Sequence, residues 1–169
     1  RFRSAKGYLQ LAKIFQLAGE YPSIRSLYKT VRVRSDPPSM RTFRRVVHAS
    51  YLLKYCASVG CHGSEQVKTL PLRRRKSSSD ATVYTNYYLL DSYPSKGKHE
   101  LIDRRNPRDS LLIQYGLPRV DAIEPHPDVE NWRPRLQPRR DPRVQNIVRW
   151  VGMLQARRPK YDEYGFPAL

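Results

Sequence analysis

Tyr8, Leu11, Ile14, Phe15 and Ala18 recur at helical spacing and Gly19 supplies a stop, so the chain is predicted to open on a helix. "YKTVRVR" (28–34) alternates Val31 and Val33 with Thr30, Arg32 and Arg34, the period of a short strand; a helical continuation from "SIRSLY" is the competing pattern. "SDPPSMRTFRRVVHASYLLKYCASVG" carries the clearest helical signal. Asp36 can cap it, Pro37 and Pro38 fit the first turn, and Gly60 closes it. Met40, Phe43, Val47 and Tyr51 form its apolar stripe, with Arg41, Arg44 and Arg45 on the flank.

Beyond this helix the pattern changes. Residues 63–80 read as a basic, Ser-rich connector, and "ATVYTNYYLL" (81–90) has the β-branched and aromatic content of a strand. "NPRDSLLIQYGL" (106–117) reads as a short helix capped by Asn106, started by Pro107 and ended by Gly116; "PRVDAI" (118–123) reads as a second strand. Residues 125–141 form a proline-rich arm that can be neither a helix nor a central strand. "DPRVQNIVRWVGML" (141–154) returns to the 3.6 period through Val144, Ile147, Val148, Val151 and Leu154, with Asp141 as cap and Pro142 at the first position. The tail 158–169 has no regular pattern, and no internal repeat is present. The predicted class is α+β: a basic helical extension (1–62), the connector (63–80), and a small α/β module (81–157) that includes the arm.

Charge sharpens this division. The 169 residues carry 32 Lys and Arg against 15 Asp and Glu, a formal charge of +17 and a pI near 10.3. Residues 1–79 hold 17 basic and three acidic side chains; residues 80–169 hold 15 and 12. Such an excess opposes compaction by self-repulsion and favours a polyanionic partner. Arg supplies 23 of the 32 cations, and its planar fork suits phosphate. In "TLPLRRRKSSSD" four cations stand together, Arg73, Arg74, Arg75 and Lys76. A segment of that kind is expected to stay mobile in water unless a bound polyanion neutralises it. In "NWRPRLQPRRDPR" Trp132 stands among Arg133, Arg135, Arg139, Arg140 and Arg143. Guanidinium groups there can neutralise phosphates, the indole can stack on a splayed base, and prolines keep the segment extended. With Arg32, Arg34, Arg41, Arg44 and Arg45 these residues are the candidate RNA-binding set; each alone is also a plain solvated side chain.

Catalysis finds no support, because no Gly-rich phosphate loop, nucleophile elbow or paired-carboxylate motif occurs. No cofactor and no small-molecule substrate are expected. "CASVGCH" brings Cys56, Cys61 and His62 together, with His48 two turns earlier, but lacks the tight Cys-x-x-Cys knuckle of zinc sites, and two half-buried thiols explain it better. Two cysteines are too few for a disulfide framework and suggest a reducing compartment. No apolar run approaches the roughly 18 residues of a membrane span. The first 19 residues contain no acid and, in composition, resemble a mitochondrial targeting helix, although a structural amphipathic helix explains them equally.

The Arg-rich, Pro-studded chain with a small α/β module resembles a mitochondrial ribosomal protein. Within residues 81–157, a strand, a short helix ending Tyr115-Gly116-Leu117, a strand, and a helix from Pro142 to Leu154 are similar to the large-subunit ribosomal protein family numbered thirty. That resemblance implies a βαβαβ module with "MLQARR" as its third strand, although "LLDSYPSKG" stands where the family has a basic loop. It also implies a structural role in the mitochondrial matrix, with rRNA and neighbouring ribosomal proteins as partners and the chain a monomer within the assembly. A second resemblance competes. "SIRSLYKTVRV" followed by "MRTFRRVV" is similar to the Leu-Tyr-Arg motif proteins, small helical accessory or assembly subunits of respiratory complexes, with Lys29 in place of the motif's Arg.

Overall fold

Prolines and side-chain caps set where most of the longer helices begin. A computed structural model of the chain describes residues 2–64, 67, 69–94, 99–130 and 132–154. It divides into two compact units, Ser39–Leu154 and one containing Arg1–Pro38.

In the smaller unit, helix α1 (Gly7–Leu17) is followed by a 3-10 helix over Pro22–Thr30 with Pro at its start. Ile14 and Ala18 are the buried apolar residues described there, and Arg25 donates from Nε to the Ala18 carbonyl at 3.2 Å. A methyl group on Gly7 would overlap the carbonyl of Arg32, so glycine lets the start of α1 meet that backbone.

The larger unit holds the main core. Helix α2 (Pro38–Thr42) continues without a break as a π-helical stretch over Phe43–Cys56, ending with the Ala57 amide on the Leu52 carbonyl at 2.8 Å. That i→i+5 pattern places residues five apart on one face. Phe43 and His48 are buried together, as are Val47 and Leu52. Helix α3 (Asp80–Asp91) is capped by Ser79, whose Oγ accepts the Thr82 amide. A 3-10 turn (Pro107–Asp109) precedes α4 (Leu111–Gln114), in which every residue is buried. Helix α5 (Pro142–Gly152) starts at the Asp141 cap and buries Val144, Ile147, Trp150 and Val151. It packs on the π-helical stretch through Phe43 and Trp150, whose rings lie 5.1 Å apart, and the Tyr87 edge from α3 meets Phe43 at 5.4 Å. Aromatic contacts of this kind contribute about 1 kcal/mol each beyond their buried area.

The α+β expectation fails. About 48% of the chain is helical and 1% is strand, and there is no sheet among the described residues. Residues 81–90, read as the first strand, form α3. Their buried positions, Thr82, Val83, Asn86 and Leu90, follow the helical period. Residues 118–123 turn back on the Pro118 carbonyl, which accepts from Asp121 and Ala122 (2.9 and 3.1 Å), and leave Val120 and Ile123 exposed. Residues 28–30 belong to the 3-10 helix, and only from Val31 is the backbone extended. The helix read over 106–117 breaks at Ser110, an extended residue whose Oγ accepts the Asp103 amide. "MLQARR" lies largely outside the described residues, as does the tail 158–169. The helices at 7–17, 38–56 and 142–152 form where the pattern put them, and the described part of the arm has no regular structure.

Candidate nucleic-acid interface

The backbone of the cationic run 73–76 is held by neighbours within the chain. Leu72 is buried, and its amide donates to the His62 carbonyl at 2.7 Å. The Asn86 carboxamide then grips the backbone of Arg73 from both sides. Its Oδ1 accepts the Arg73 amide at 2.7 Å and its Nδ2 donates to the Arg73 carbonyl at 2.9 Å. The same Nδ2 donates to Nε2 of His48 at 2.9 Å. Because Arg73 fixes which end of the carboxamide is which, His48 must accept at Nε2 and is therefore neutral. Burial, and then the Arg44 cation, lower the His48 pKa, in keeping with that state.

Further along, Thr82 Oγ1 donates to the Arg75 carbonyl at 2.8 Å, and Lys76 turns through the left-handed region (φ 48°). The Ser79 amide donates to the Lys76 carbonyl at 2.8 Å, which closes the turn ahead of α3. Arg44 ties the far end, donating to the Ser78 carbonyl at 3.0 Å and to Asp80 Oδ1 at 2.6 Å. The backbone is thus held mostly by uncharged groups, while the side chains of Arg73, Arg74, Arg75 and Lys76 are exposed. Arg73, Arg74 and Arg75 line an open depression of about 750 Å³ beside the first turn of α3. Cations over a helix N-terminus offer both charge and backbone amides to an anion.

The second predicted segment is held differently. Leu136 is buried, and the amides of Arg135 and Leu136 both donate to the Gly116 carbonyl at 2.8 Å. A Cβ on Gly116 would collide with the Tyr51 hydroxyl and with Leu136, 2.7 Å from its Cδ1. Only glycine lets the arm seat there. Asp141, itself buried, accepts from the Gln137 and Arg143 amides at 2.9 Å, and Arg143 closes on it with two further bonds of 2.9 and 2.7 Å. Burial pushes the Asp141 carboxyl up, but these hydrogen bonds and the Arg143 charge outweigh it and hold the carboxyl below its usual range. The guanidinium groups of Arg143 and Arg135 also sit over the Tyr55 ring, 5.3 and 5.8 Å from its centre.

The fifteen candidate residues therefore separate. Arg73–Lys76 form one exposed group, and Arg133, Arg135, Arg139 and Arg140 are exposed along the arm. Arg41 on α2 and Arg45 on the π-helical stretch are exposed, and Arg32 and Arg34 are exposed in the smaller unit. Arg44 and Arg143 are engaged by Asp80 and Asp141. Trp132 is already occupied: His126 stacks on it at 5.6 Å and 16°, and Arg119, itself paired with Asp128, lies 5.2 Å from its centre. The sequence reading missed His48, Thr82 and Asn86, which hold the first segment; the adjacent Ser79-Asp80 cap was the available signal. Burial, opposed by a Tyr51 hydrogen bond, pushes the Cys56 thiol up to about 12, leaving it far from a thiolate ligand. Among the described residues no group of three or more His, Cys, Asp or Glu converges on a metal position. Nor is any described helix long and apolar enough to cross a membrane.

No family model, curated protein or solved structure matches this chain.

Proposed function

We propose that the chain is a non-catalytic, structural RNA-binding protein of a mitochondrial ribosome, gripping folded rRNA by charge and shape. The observation that carries this reading is the four-cation run exposed on a backbone pre-set by Asn86, Thr82 and His48. Among the described residues no carboxylate pairs with that run as Asp141 pairs with Arg143, so its charge is available to an outside anion. Phosphate contacts of this sort position a protein without reading sequence. The strand-based likeness to a large-subunit family does not support the reading, since residues 81–90 are helical. The deciding experiment isolates the native particle containing the chain and asks for rRNA. Purified chain should also bind structured RNA with an affinity that falls steeply between about 50 and 200 mM salt. A flat salt response, or recovery with an rRNA-free membrane complex, rejects the reading.

One observation favours the respiratory-subunit alternative. Leu27, Tyr28 and Lys29 lie on a helix, the 3-10 segment Pro22–Thr30, with Tyr28 half-buried. Charge reversal separates the two. Arg32→Glu with Arg34→Glu should impair incorporation into ribosomal particles while Tyr28→Phe is mild, and the opposite ranking favours the alternative.

A further inference from the structure

The larger unit holds a second, partly open cavity of about 420 Å³, lined by the end of the π-helical stretch, by residues 60–62, 67, 69 and 70, and by the proline-rich arm. Its walls mix aliphatic side chains with rings. His126 is their hub, edge-on to Tyr115 at 5.3 Å and to His62 at 6.1 Å, and stacked on Trp132 at 5.6 Å. Tyr51, Tyr55 and Tyr93 add further rings, and the charged side chains at the lining are the exposed Glu130, Arg133 and Arg135, two cations against one acid. His62 donates from Nδ1 to the Thr69 carbonyl at 3.0 Å, so its Nε2 is the acceptor of the neutral ring.

We infer that this cavity receives a single unpaired nucleobase everted from the bound RNA, with Arg133 and Arg135 on the phosphates to either side. This rests on the RNA-binding reading above and adds a base-accepting site to it. The volume lies in the range of small-ligand pockets, roughly 300–1,000 Å³, and the combination of an apolar wall containing several rings with a few polar groups is typical of them. Rings are what an everted base needs, because every base has a π-face and stacking tolerates any sequence. The arginines distinguish a nucleotide from an apolar peptide anchor: two cations beside an aromatic slot match a base flanked by phosphates. Single-stranded bulges and loops are where RNA offers such a base.

Cys61 provides the readout, since it lines the cavity and is exposed, whereas Cys56 is held as an unreactive thiol. The full chain is mixed with two RNA hairpins that differ only in whether a 2-aminopurine is bulged or paired. The bulged hairpin should be quenched on binding and should slow alkylation of Cys61 about tenfold, a factor in keeping with the stacking of one base. The paired hairpin should do neither. Arg133→Ala with Arg135→Ala, both at the surface, should weaken the bulged RNA about tenfold more than the paired one. Cys61→Trp, which projects a ring into the slot, should abolish the quench and leave salt-dependent binding of the paired RNA. Equal binding of both hairpins without quenching overturns the base pocket and leaves the RNA reading standing. Binding of neither hairpin removes both. Protection of Cys61 by an aromatic-bearing peptide, and not by bulged RNA, makes the cavity a peptide site and overturns the inference.

Discussion

Residues 73–76 and 133–143 are built alike, and they end with different amounts of charge to offer. Each is a cationic run, each turns through a left-handed residue, Lys76 (φ 48°) or Arg140 (φ 63°), and each runs into a helix with a side-chain cap. Holding a non-glycine residue in that region costs about 1 kcal/mol, so the surroundings must over-determine both turns. The caps differ. Ser79 is neutral and draws no cation, while the buried Asp141 captures Arg143. In the first segment Asn86 and Thr82 hold peptide groups and leave the guanidinium groups alone. In the second, an anion, an aromatic ring and a buried leucine do the holding. A count of arginines therefore overstates the charge available to a partner, and what fixes each backbone decides the remainder.

If the second segment is chiefly anchored by the core, Leu136→Ala should be the most damaging change. Deleting a fully buried leucine side chain costs about 3 kcal/mol, and the loss should appear in urea denaturation of the full chain. Arg73→Ala, Arg74→Ala and Arg75→Ala combined should stay within about 0.5 kcal/mol of the parent, because their side chains are exposed. A comparable loss from the triple variant would break the contrast.

RNA affinity should rank the segments the other way. Neutralising Arg73, Arg74, Arg75 and Lys76 with alanine should flatten the dependence of log affinity on log salt by about 3, and cost about two orders of magnitude in binding at low salt. Arg143→Ala should leave the slope within about 0.5, since that guanidinium faces Asp141. Equal flattening by both would show that engagement with Asp141 does not withhold Arg143 from phosphate.

The two segments were not equally legible in the sequence. Helix α5 was, because Asp141, Pro142 and the Val144–Ile147–Val151 stripe agree on one answer. Helix α3 was not, and its chemistry explains why. Its buried face includes the polar Thr82 and Asn86, its exposed face carries Tyr84 and Tyr88, and its threonines and tyrosines favour strands. The polarity is partly inverted because the buried polar residues grip the backbone of the cationic run. The feature that hid the helix is the one that builds the candidate site. For the same reason the arginines could be counted in advance but not sorted: Arg44 and Arg143 look like Arg45 and Arg139 until Asp80 and Asp141 are placed beside them.

Removing the grip itself should have an intermediate effect. Asn86→Ala leaves the Arg73 amide and carbonyl and the His48 Nε2 without their partner, at a cost of about 2 kcal/mol. Hydrogen-exchange protection should fall around Arg73 and persist at Gln137 and Arg143, whose amides answer to Asp141. Loss of protection at both places would mean that the two segments open as one unit.

The smallest effect separates the segments most cleanly, because their anchors titrate in different windows. His48 has a lowered pKa in the folded state, from burial first and the Arg44 charge second. The unfolded chain, with an ordinary histidine near 6.5, then binds the proton more readily than the folded one. The contribution of His48 to stability is complete above about pH 6.5 and is lost as pH falls through that value toward the lowered folded pKa, at no more than about 1.4 kcal/mol per pH unit. The geometric reason is that a protonated Nε2 would point its hydrogen at the Asn86 Nδ2 donor. Asp141 is also lowered, so its contribution is complete above the ordinary carboxylate value of about 3.9 and is lost only below it. Between about pH 6.5 and 5, exchange protection should decline at residues 73–76 while it holds at 137–143; the second segment should loosen only below about pH 4. His48→Phe should remove the upper window and leave the lower one. Simultaneous loosening of both segments near pH 4, or an unchanged upper window in His48→Phe, would show that the first segment does not depend on the neutral His48–Asn86 bond.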